Sequence, residues 1–233
     1  MELDESADPR LVVKSGRSRF KLPVIGADSF PSIPDEGWTD EIKIKASDIR
    51  GLFESTIPSA STEVVRYYLC GVYLHVNDGR LRAVATNGHH LTYRDGPKSK
   101  SKIKGEIIPT KAITEIVKAI KDYDGDVVFS VKDGRAVRLV VGDYSFVSKV
   151  VDGNFPDYKR VIPSDVPTIA LLDSASVLVA IRRAAIAADD KIRSVLLDMS
   201  PGTLTVRARG QAEAQDEVEI EYDGEPITLS FNS

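Results

Sequence analysis

The chain has 233 residues, 42% hydrophobic and 28% charged, so it is long enough for two globular units and too apolar to be intrinsically disordered. Its 31 basic and 35 acidic residues leave a net charge of −4, which excludes a protein that holds nucleic acid over most of its surface but leaves room for one basic face. A single cysteine, Cys70, excludes an intramolecular disulfide, and no early apolar run resembles a signal peptide or a membrane span, so we expect a cytoplasmic protein.

Three segments have the spacing of amphipathic helices. They are predicted at 47–55, 109–121 and 174–188, with Thr110 as candidate N-cap of the second. The residues that share an apolar face are Ile49, Leu52 and Phe53 in the first, Ile113, Ile116, Val117 and Ile120 in the second, and Val177, Ile181, Ala184 and Ala188 in the third. The basic residues away from those faces are Lys111, Lys118, Arg182 and Arg183. By themselves they indicate no more than a solvated surface.

Short strands between turn signals account for much of the remaining chain. The signals are Asp78-Gly79, Asp133-Gly134, Asp152-Gly153, Pro201-Gly202 and Asp223-Gly224. Asp-Gly favours tight turns because Gly readily adopts a positive φ. The residues around the first two signals predict antiparallel pairs of 72–76 with 81–86 and of 127–131 with 136–141. Many strands and few helices indicate the α+β class.

An internal repeat of about 125 residues is the most informative feature, because self-similarity at a long period reports architecture. Arg-Leu-Val-Val at 10–13 recurs at 138–141, and Phe20 followed by Phe30-Pro31 recurs as Phe146 followed by Phe155-Pro156. Val72, Gly79 and Leu81 match Val195, Gly202 and Leu204, each at an offset of 123. This period predicts the back of one module at 1–40, a whole module at 41–165 and the front of another at 166–233.

Five blocks of sequence carry a likeness to a known family. They are Ser-Gly-Arg-Ser-Arg-Phe at 15–20, Val-Arg-Tyr-Tyr-Leu at 65–69, Ala-Thr-Asn-Gly-His-His-Leu at 85–91, Val-Ser-Lys-Val-Val-Asp-Gly at 147–153 and Phe-Pro-Asp-Tyr-Lys-Arg-Val at 155–161. In this order they resemble the bacterial sliding clamp, the DNA polymerase III beta subunit. The resemblance implies a non-catalytic DNA-clamp fold of three repeated domains, each with two helices packed on antiparallel sheets. The domains close head to tail into a ring, and relative to this pattern both ends of the chain look truncated.

The resemblance also implies the partners. These are duplex DNA, contacted without sequence preference, and proteins with clamp-binding peptides: the DNA polymerase III alpha subunit, the clamp loader, and other polymerases or repair proteins. It places on the DNA side the helix residues Lys111, Lys118, Arg182 and Arg183. It also places Arg66, Tyr67 and Tyr68 at the DNA, or else where the distal part of a bound peptide would touch. From the residues alone, two adjacent tyrosines on a strand are equally typical of one packed and one exposed ring.

A pocket for partner peptides is the second implied site. By resemblance its wall consists of Leu69, Thr86, Gly88, His89, His90, Leu91, Pro156, Arg160 and Val161. Leu, Pro and Val side chains suit apolar anchors, and His or Arg gives direction at a rim. Without the resemblance, the segment 155–158 is typical of a turn with a core aromatic. The chain departs from the family at Asn87, where aspartate is common, and at His90, where arginine is common.

The subunit interface of a homodimer is the third implied surface. The resemblance assigns Phe20 and Leu22 to one side, and Ile186 with the acidic stretch 213–221 to the other. Basic residues at 17, 19 and 21 would orient this contact more than strengthen it. The acidic stretch is equally typical of a solvated sheet edge. Without a whole first domain, we do not expect a stable ring.

The sequence contains no recognisable motif for catalysis, a metal or a cofactor. Gly16-Arg17-Ser18 lacks the second glycine and the lysine of a phosphate-binding loop. The three histidines form no pair at helical spacing, and we expect the adjacent His89 and His90 to point to opposite faces of a strand. Two alternatives remain open: a clamp-like adaptor that binds peptides without surrounding DNA, and a β-rich hydrolase that uses Asp and Glu side chains.

Overall fold

A computed structural model describes residues 2–4, 10–29, 37–132, 134–166, 168–189 and 193–232. The chain divides into two compact units, residues 1–156 and 157–233. Each unit is α+β, with antiparallel sheets and short helices. No helix in the described ranges is long and apolar enough to cross a membrane.

The first unit begins with a small antiparallel sheet of three strands. These are β1 (Glu2–Asp4), β2 (Arg10–Ser15) and β3 (Ser18–Pro23), in the order β1-β2-β3. Gly16 closes the β2–β3 hairpin with a φ of 56°, a conformation that favours glycine. The Gly16-Arg17-Ser18 segment is therefore a hairpin turn.

Two four-stranded antiparallel sheets and two helices form the rest of the first unit. One sheet has the order β11-β10-β9-β4 and the other β7-β6-β5-β8. The bounds are β4 Thr39–Lys45, α1 Ala46–Thr56, β5 Gly71–Asn77, β6 Arg80–Thr86, β7 Leu91–Lys98, β8 Glu106–Pro109, α2 Thr110–Ala119, β9 Asp126–Lys132, β10 Ala136–Val141 and β11 Tyr144–Lys149. Helix α1 packs on β6, β7 and α2, while α2 packs on β5 and β8.

A single core joins both sheets and both helices of the first unit. Its members include Ile49, Phe53, Ile113 and Phe129, each with 0% or 1% of its surface exposed. The predicted faces of the first two helices are confirmed, since their apolar residues belong to this core or pack against it. The strands contribute every second residue, as the alternation of side chains along a strand requires.

The second unit has one four-stranded antiparallel sheet with an α-helix across it. Its elements are α3 (Ser174–Ala185), β12 (Ser194–Ser200), β13 (Thr203–Arg209), β14 (Glu213–Glu219) and β15 (Ile227–Asn232), with sheet order β14-β13-β12-β15. Asp173 caps α3, because its Oδ2 accepts a hydrogen bond of 2.8 Å from the Ser176 N–H. A hydrogen bond from the Ser176 hydroxyl and, to a lesser extent, this backbone bond lower the pKa of the Asp173 carboxyl.

The repeat at an offset of 123 is confirmed by strand bounds and pairing. Strands β5 and β6 shifted by 123 coincide with β12 and β13 at both ends. Val72 lies opposite Ile108, and Val195 lies opposite Phe231, which again differ by 123. The two sheets therefore share one strand order and, in the β5–β6 and β5–β8 pairs, one register. The β7 and β14 edges differ by one residue, since Thr86 pairs with Leu91 but Arg209 pairs with Glu213.

The first part of the repeat is real, but its offset in the hairpin is 126. Val13 pairs with Phe20 as Leu139 pairs with Phe146, and Gly16 and Gly142 have φ values of 56° and 54°. The match between 10–13 and 138–141, at 128, is thus out of register by two residues. Phe30-Pro31, which the repeat matches to Phe155-Pro156, lies outside the described residues.

Several local predictions are wrong. Pro109, not Thr110, occupies the N-cap position of α2, without a side-chain hydrogen bond. Tyr67 and Tyr68 lie in a 3-10 helix, Val64–Leu69, and His89 and His90 lie in the turn between β6 and β7. Among the turn signals, Asp78-Gly79 closes the predicted hairpin and Pro201-Gly202 closes a further one. No hairpin was predicted at Asp152-Gly153 and Asp223-Gly224, which lie in segments between strands. Asp133 lies outside the described residues, although β9 and β10 pair on either side of it.

Candidate functional site

Helix α2 carries the two predicted lysines on its exposed side. Lys111 and Lys118 are both exposed, while Ala112, Ile113 and Ile116 face the core. Lys118 Nζ lies 2.9 Å from Glu115 Oε1, so its charge is already partly balanced on the helix. Lys111 makes no ion pair with any residue that the structure describes. Lys111 is therefore the more available of the two for an external anion.

Helix α3 repeats this contrast in the second unit. Arg182 and Arg183 are both exposed, away from the buried Ala180 and Ala184. Arg183 Nη1 lies 3.1 Å from Asp216 Oδ2 on β14, whereas Arg182 has no ion pair within the described part of the chain. Each helix thus presents one paired and one unpaired cation.

The 3-10 helix Val64–Leu69 holds the next three predicted residues. Arg66 donates to Glu63 Oε2 from Nε at 3.0 Å and from Nη2 at 2.8 Å. The rings of Tyr67 and Tyr68 meet edge to face at 5.7 Å, and half of Tyr67 is exposed. Val64 and Val65, beside them, are more than 80% exposed. The segment is therefore an exposed, partly aromatic ridge with its one arginine paired to a glutamate.

The turn 86–91 is ordered by two polar side chains. Thr86 Oγ1 donates to the His90 carbonyl at 2.8 Å and accepts from the Gly88 N–H at 3.1 Å. Asn87 Oδ1 accepts from the N–H groups of His89 and His90 at 2.9 and 3.1 Å. Side chains of Asn and Thr commonly replace backbone partners in this way. The result is a fixed turn that exposes both histidines.

One contact joins two groups of residues that the sequence assigned to different sites. A Cβ atom on Gly88 would lie 2.6 Å from Arg66 Nη1, and Gly88 has a φ of 89°. The arginine of the 3-10 helix therefore lies directly on the glycine of the turn. Sequence reasoning missed this contact, since 22 residues separate the two positions and neither carries a pairing signal.

The remaining pocket residues differ in burial and are divided between the two units. Leu69 is 4% exposed, Leu91 is half-buried and Pro156 is exposed, all in the first unit. Arg160 and Val161 belong to the second unit, where Arg160 Nε pairs with Asp157 Oδ2 at 3.0 Å and Val161 is 68% exposed. Leu69 is thus mainly a core residue, and Val161 offers free apolar surface.

The residues assigned to a subunit interface are all exposed. Phe20 and Leu22 on β3 are 56% and 47% exposed, and Ile186 is 87% exposed. The acidic stretch forms β14, an edge strand whose odd-numbered residues from 213 to 219 point to solvent. In the single chain this stretch is an exposed sheet edge, which both a subunit interface and a solvated edge predict.

Sequence reasoning did not single out four lysines at 98, 100, 102 and 104, although all are exposed. The available signal was their spacing, since every second residue of an extended segment points the same way. Among the described residues, no group of three or more His, Cys, Asp or Glu side chains is arranged to hold a metal ion.

Comparison with known proteins identifies relatives over nearly the whole chain. Residues 43–157 match the family model for the DNA polymerase III beta subunit, central domain, and residues 159–233 match the model for the C-terminal domain. The beta sliding clamp of Caulobacter vibrioides is 42% identical over 234 residues, which cover 97% of this chain and 63% of the relative. The beta sliding clamp of Pseudomonas aeruginosa is 36% identical, with 97% and 62% covered. The chain thus spans less than two thirds of these relatives.

Solved structures agree with these matches. The crystal structure of the C. crescentus beta sliding clamp has a TM-score of 0.86 and 40% identity, covering 99% of this chain and 63% of that one. A sliding clamp from P. aeruginosa bound to griselimycin has a TM-score of 0.82 and 35% identity, covering 96% and 61%. The fold described above is therefore the sliding-clamp fold.

Proposed function

Because the chain belongs to the DNA polymerase III beta subunit family, we propose that it acts as a sliding clamp, a non-catalytic protein that surrounds duplex DNA and holds other proteins on it. The observation that carries the proposal is the succession of two domain matches, central and C-terminal, over residues 43–233. The modules proposed at 1–40, 41–165 and 166–233 would supply the repeated units of such a ring in the cytoplasm. The homodimer is the assembly of the full-length family, and because we do not expect a stable ring without a whole first domain, retention on circular DNA decides whether residues 1–233 close by themselves.

The proposed DNA contact uses cations on helices. Lys111 and Arg182 carry most of it, since Lys118, Arg183 and Arg66 are already paired with carboxylates. Tyr67, half of which is exposed, and the half-buried Tyr68 contribute aromatic surface next to Arg66. Such groups bind phosphates and do not read bases, so binding is independent of sequence and permits sliding.

The proposed partner site is the predicted peptide pocket. In the first unit the turn 86–91 supplies a fixed polar rim with His89 and His90, and Leu91 supplies apolar surface. Arg160 and Val161 of the second unit are proposed members by resemblance alone. Apolar anchors in a groove with a polar rim are the usual basis of peptide affinity. The partners we propose are the DNA polymerase III alpha subunit, the clamp loader, and other polymerases or repair proteins that carry clamp-binding peptides. Phe20, Leu22 and Ile186 remain the proposed subunit interface.

Retention on closed DNA tests the central claim. The chain is loaded onto nicked circular plasmid by a clamp loader, and the plasmid fraction is separated by gel filtration before and after linearisation. A protein that surrounds DNA stays with the circle and is lost from the linear form. Equal loss from both forms, with peptide binding intact, would show an adaptor that does not encircle DNA and would refute the proposal.

A second measurement tests the peptide pocket. Leu91→Asp should abolish binding of a peptide from the polymerase alpha subunit in calorimetry, because it places a charge on the apolar wall. Leu178→Asp, at an exposed leucine on α3, is the matched control and should bind normally. Unchanged binding by the Leu91 variant would remove this residue from the pocket.

A further inference from the structure

The segment 98–104, here called the lysine loop, alternates lysines with small or apolar residues as Lys-Ser-Lys-Ser-Lys-Ile-Lys. The four lysines are exposed, whereas Ser99 and Ser101 are half-buried and Ile103 is 5% exposed. Each serine accepts a backbone hydrogen bond from two residues on, Ser101 N–H to Ser99 Oγ at 3.2 Å and Ile103 N–H to Ser101 Oγ at 3.1 Å. The inward residues thus hold the loop extended, and the four ammonium groups project to solvent.

Two carboxylates line the surface beside the lysine loop, and neither forms an ion pair with its lysines. Asp40 Oδ1 accepts from the Lys102 backbone N–H at 3.1 Å, and Glu41 Oε1 lies 3.1 Å from Arg138 Nη2. Within the described part of the chain, none of the four lysines forms an ion pair. Four ammonium groups in seven residues are therefore available to an external anion.

The second copy of the repeat shows that the fold does not require these lysines. The second sheet has the same strand order, and the segment that joins its third strand in the chain, β14, to its fourth, β15, carries Glu221, Asp223 and Glu225. All three acids of this acidic loop, residues 221–225, are exposed as the lysines are. Topologically equivalent loops of the two sheets thus carry opposite charge. A structural role of the lysines does not account for this difference, but a ligand of the first unit does.

The charge of the lysine loop and the polar surface beside it favour a polyanion with regularly spaced charges as the ligand. A peptide site needs an apolar anchor, and the surface beside the loop is polar, lined by residues 40–43 and 98–102, with Ile42 only 9% exposed. Pairing with the acidic loop of a second copy would rest on exposed ion pairs, each worth about 0–1 kcal/mol, too little to hold two copies together. Phosphates are different, because each lysine that neutralises one releases a condensed counterion.

We propose that the lysine loop is an additional contact for the phosphate backbone of duplex DNA, outside the helix face that carries Lys111. This inference rests on the proposed function, because the ligand is the DNA that the clamp surrounds. Strand β8 leads from the loop into α2, so Lys104 and Lys111 are at most about 25 Å apart along the chain. One duplex can therefore reach both sets of cations.

The salt dependence of DNA binding tests the inference. The whole chain is titrated with a fluorescent duplex of about 20 base pairs at several salt concentrations, comparing the wild type with Lys100→Gln/Lys102→Gln. Loss of two phosphate contacts should reduce the slope of log Kd against log salt by about 1.8, so the affinity loss near 50 mM salt exceeds that near 200 mM about tenfold. Lys149→Gln/Lys159→Gln removes two other exposed lysines and should leave the slope unchanged.

A Lys111→Glu variant separates this inference from the proposed function. If Lys111→Glu weakens binding but the loop variant behaves as wild type, the lysine loop is not a DNA contact and the clamp proposal stands. If the wild-type chain binds no DNA, both fail. If the loop variant keeps its salt slope but changes sedimentation, the ligand is a second copy of the chain and the inference is overturned.

Discussion

The sheet β7-β6-β5-β8 of the first unit and the sheet β14-β13-β12-β15 of the second have the same strand order, and the same register except at the β7 and β14 edges, but different surroundings. In the first, Ile108 is fully buried beneath α2; in the second, the equivalent Phe231 is 53% exposed. The loop that follows β7 is basic, whereas the one that follows β14 is acidic. The alternation of residues along the strands thus determines how each sheet pairs. The elements and loops around each sheet determine its burial and its surface charge.

Truncating the paired positions Ile108 and Phe231 tests the difference in burial most strongly. Ile108→Ala should destabilise the first unit by about 2–5 kcal/mol, because it opens a cavity in a close-packed core. Phe231→Ala should cost the second unit less than about 1 kcal/mol, since half of the ring already contacts water. Urea unfolding followed by Trp38 fluorescence reports the first unit, which contains the only tryptophan, and amide exchange reports the second. Equal losses would show that Phe231 is covered in solution.

A smaller loss of stability is expected at Gly71, where the first sheet leaves no space for a side chain, although the equivalent position in the second sheet carries one. A Cβ on Gly71 would lie 2.5 Å from the Ile108 carbonyl oxygen, so Gly71→Ala should cost about 1–3 kcal/mol through displaced backbone. The equivalent Ser194 already has a Cβ, and Ser194→Ala loses only a 2.9 Å hydrogen bond to Ser230 at the surface. That change should stay within about 0.5 kcal/mol. The same two unfolding signals check both variants, and a neutral Gly71→Ala would contradict the close approach of β5 and β8.

The smallest effect concerns acid stability. A hydrogen bond from Arg82 holds the pKa of Asp95 below its ordinary value, and hydrogen bonds from Arg207 and then Thr228 do so for Asp198. A carboxyl with a lowered folded-state pKa stabilises the fold above about pH 4 and loses this contribution as the pH falls through the folded value. Asp95→Asn should remove less than about 1 kcal/mol at pH 7 and flatten the acid decline of the first unit.

Urea midpoints between about pH 2 and 7 check this expectation. The decline of the second unit, which contains Asp198, should persist in the Asp95→Asn variant and serves as the internal control. An unaltered pH profile of the first unit would mean that the Arg82–Asp95 pair contributes nothing to stability.

Elements with strong periodicity were predictable, and those set by side-chain hydrogen bonds were not. The apolar positions of α1, α2 and α3 and the strands around Gly79 and Gly202 follow from spacing alone. The turn that holds His89 and His90 depends on bonds from Thr86 and Asn87, which overrule the strand propensity of the segment. The contact of Arg66 with Gly88 joins residues that are distant in sequence, so the local sequence pattern does not predict it.

Strand pairing shows which residues of the two hairpins are equivalent more reliably than matching residue identities does. Arg-Leu-Val-Val at 10–13 and 138–141 is the most obvious repeated string, yet the hairpins align two residues away from it. A shift by two keeps every side chain on its own face, so the hydrophobic pattern alone cannot reveal the error. The glycines of the two turns, at 16 and 142, fix the alignment because each needs a positive φ.

Strand β14 also affects how strongly the protein resists aggregation. Its outer edge is a template on which another chain could extend the sheet, and the acidic residues Glu213, Glu217 and Glu219 lie along it. Two such edges brought side by side would oppose rows of like charge, which deters fibril growth.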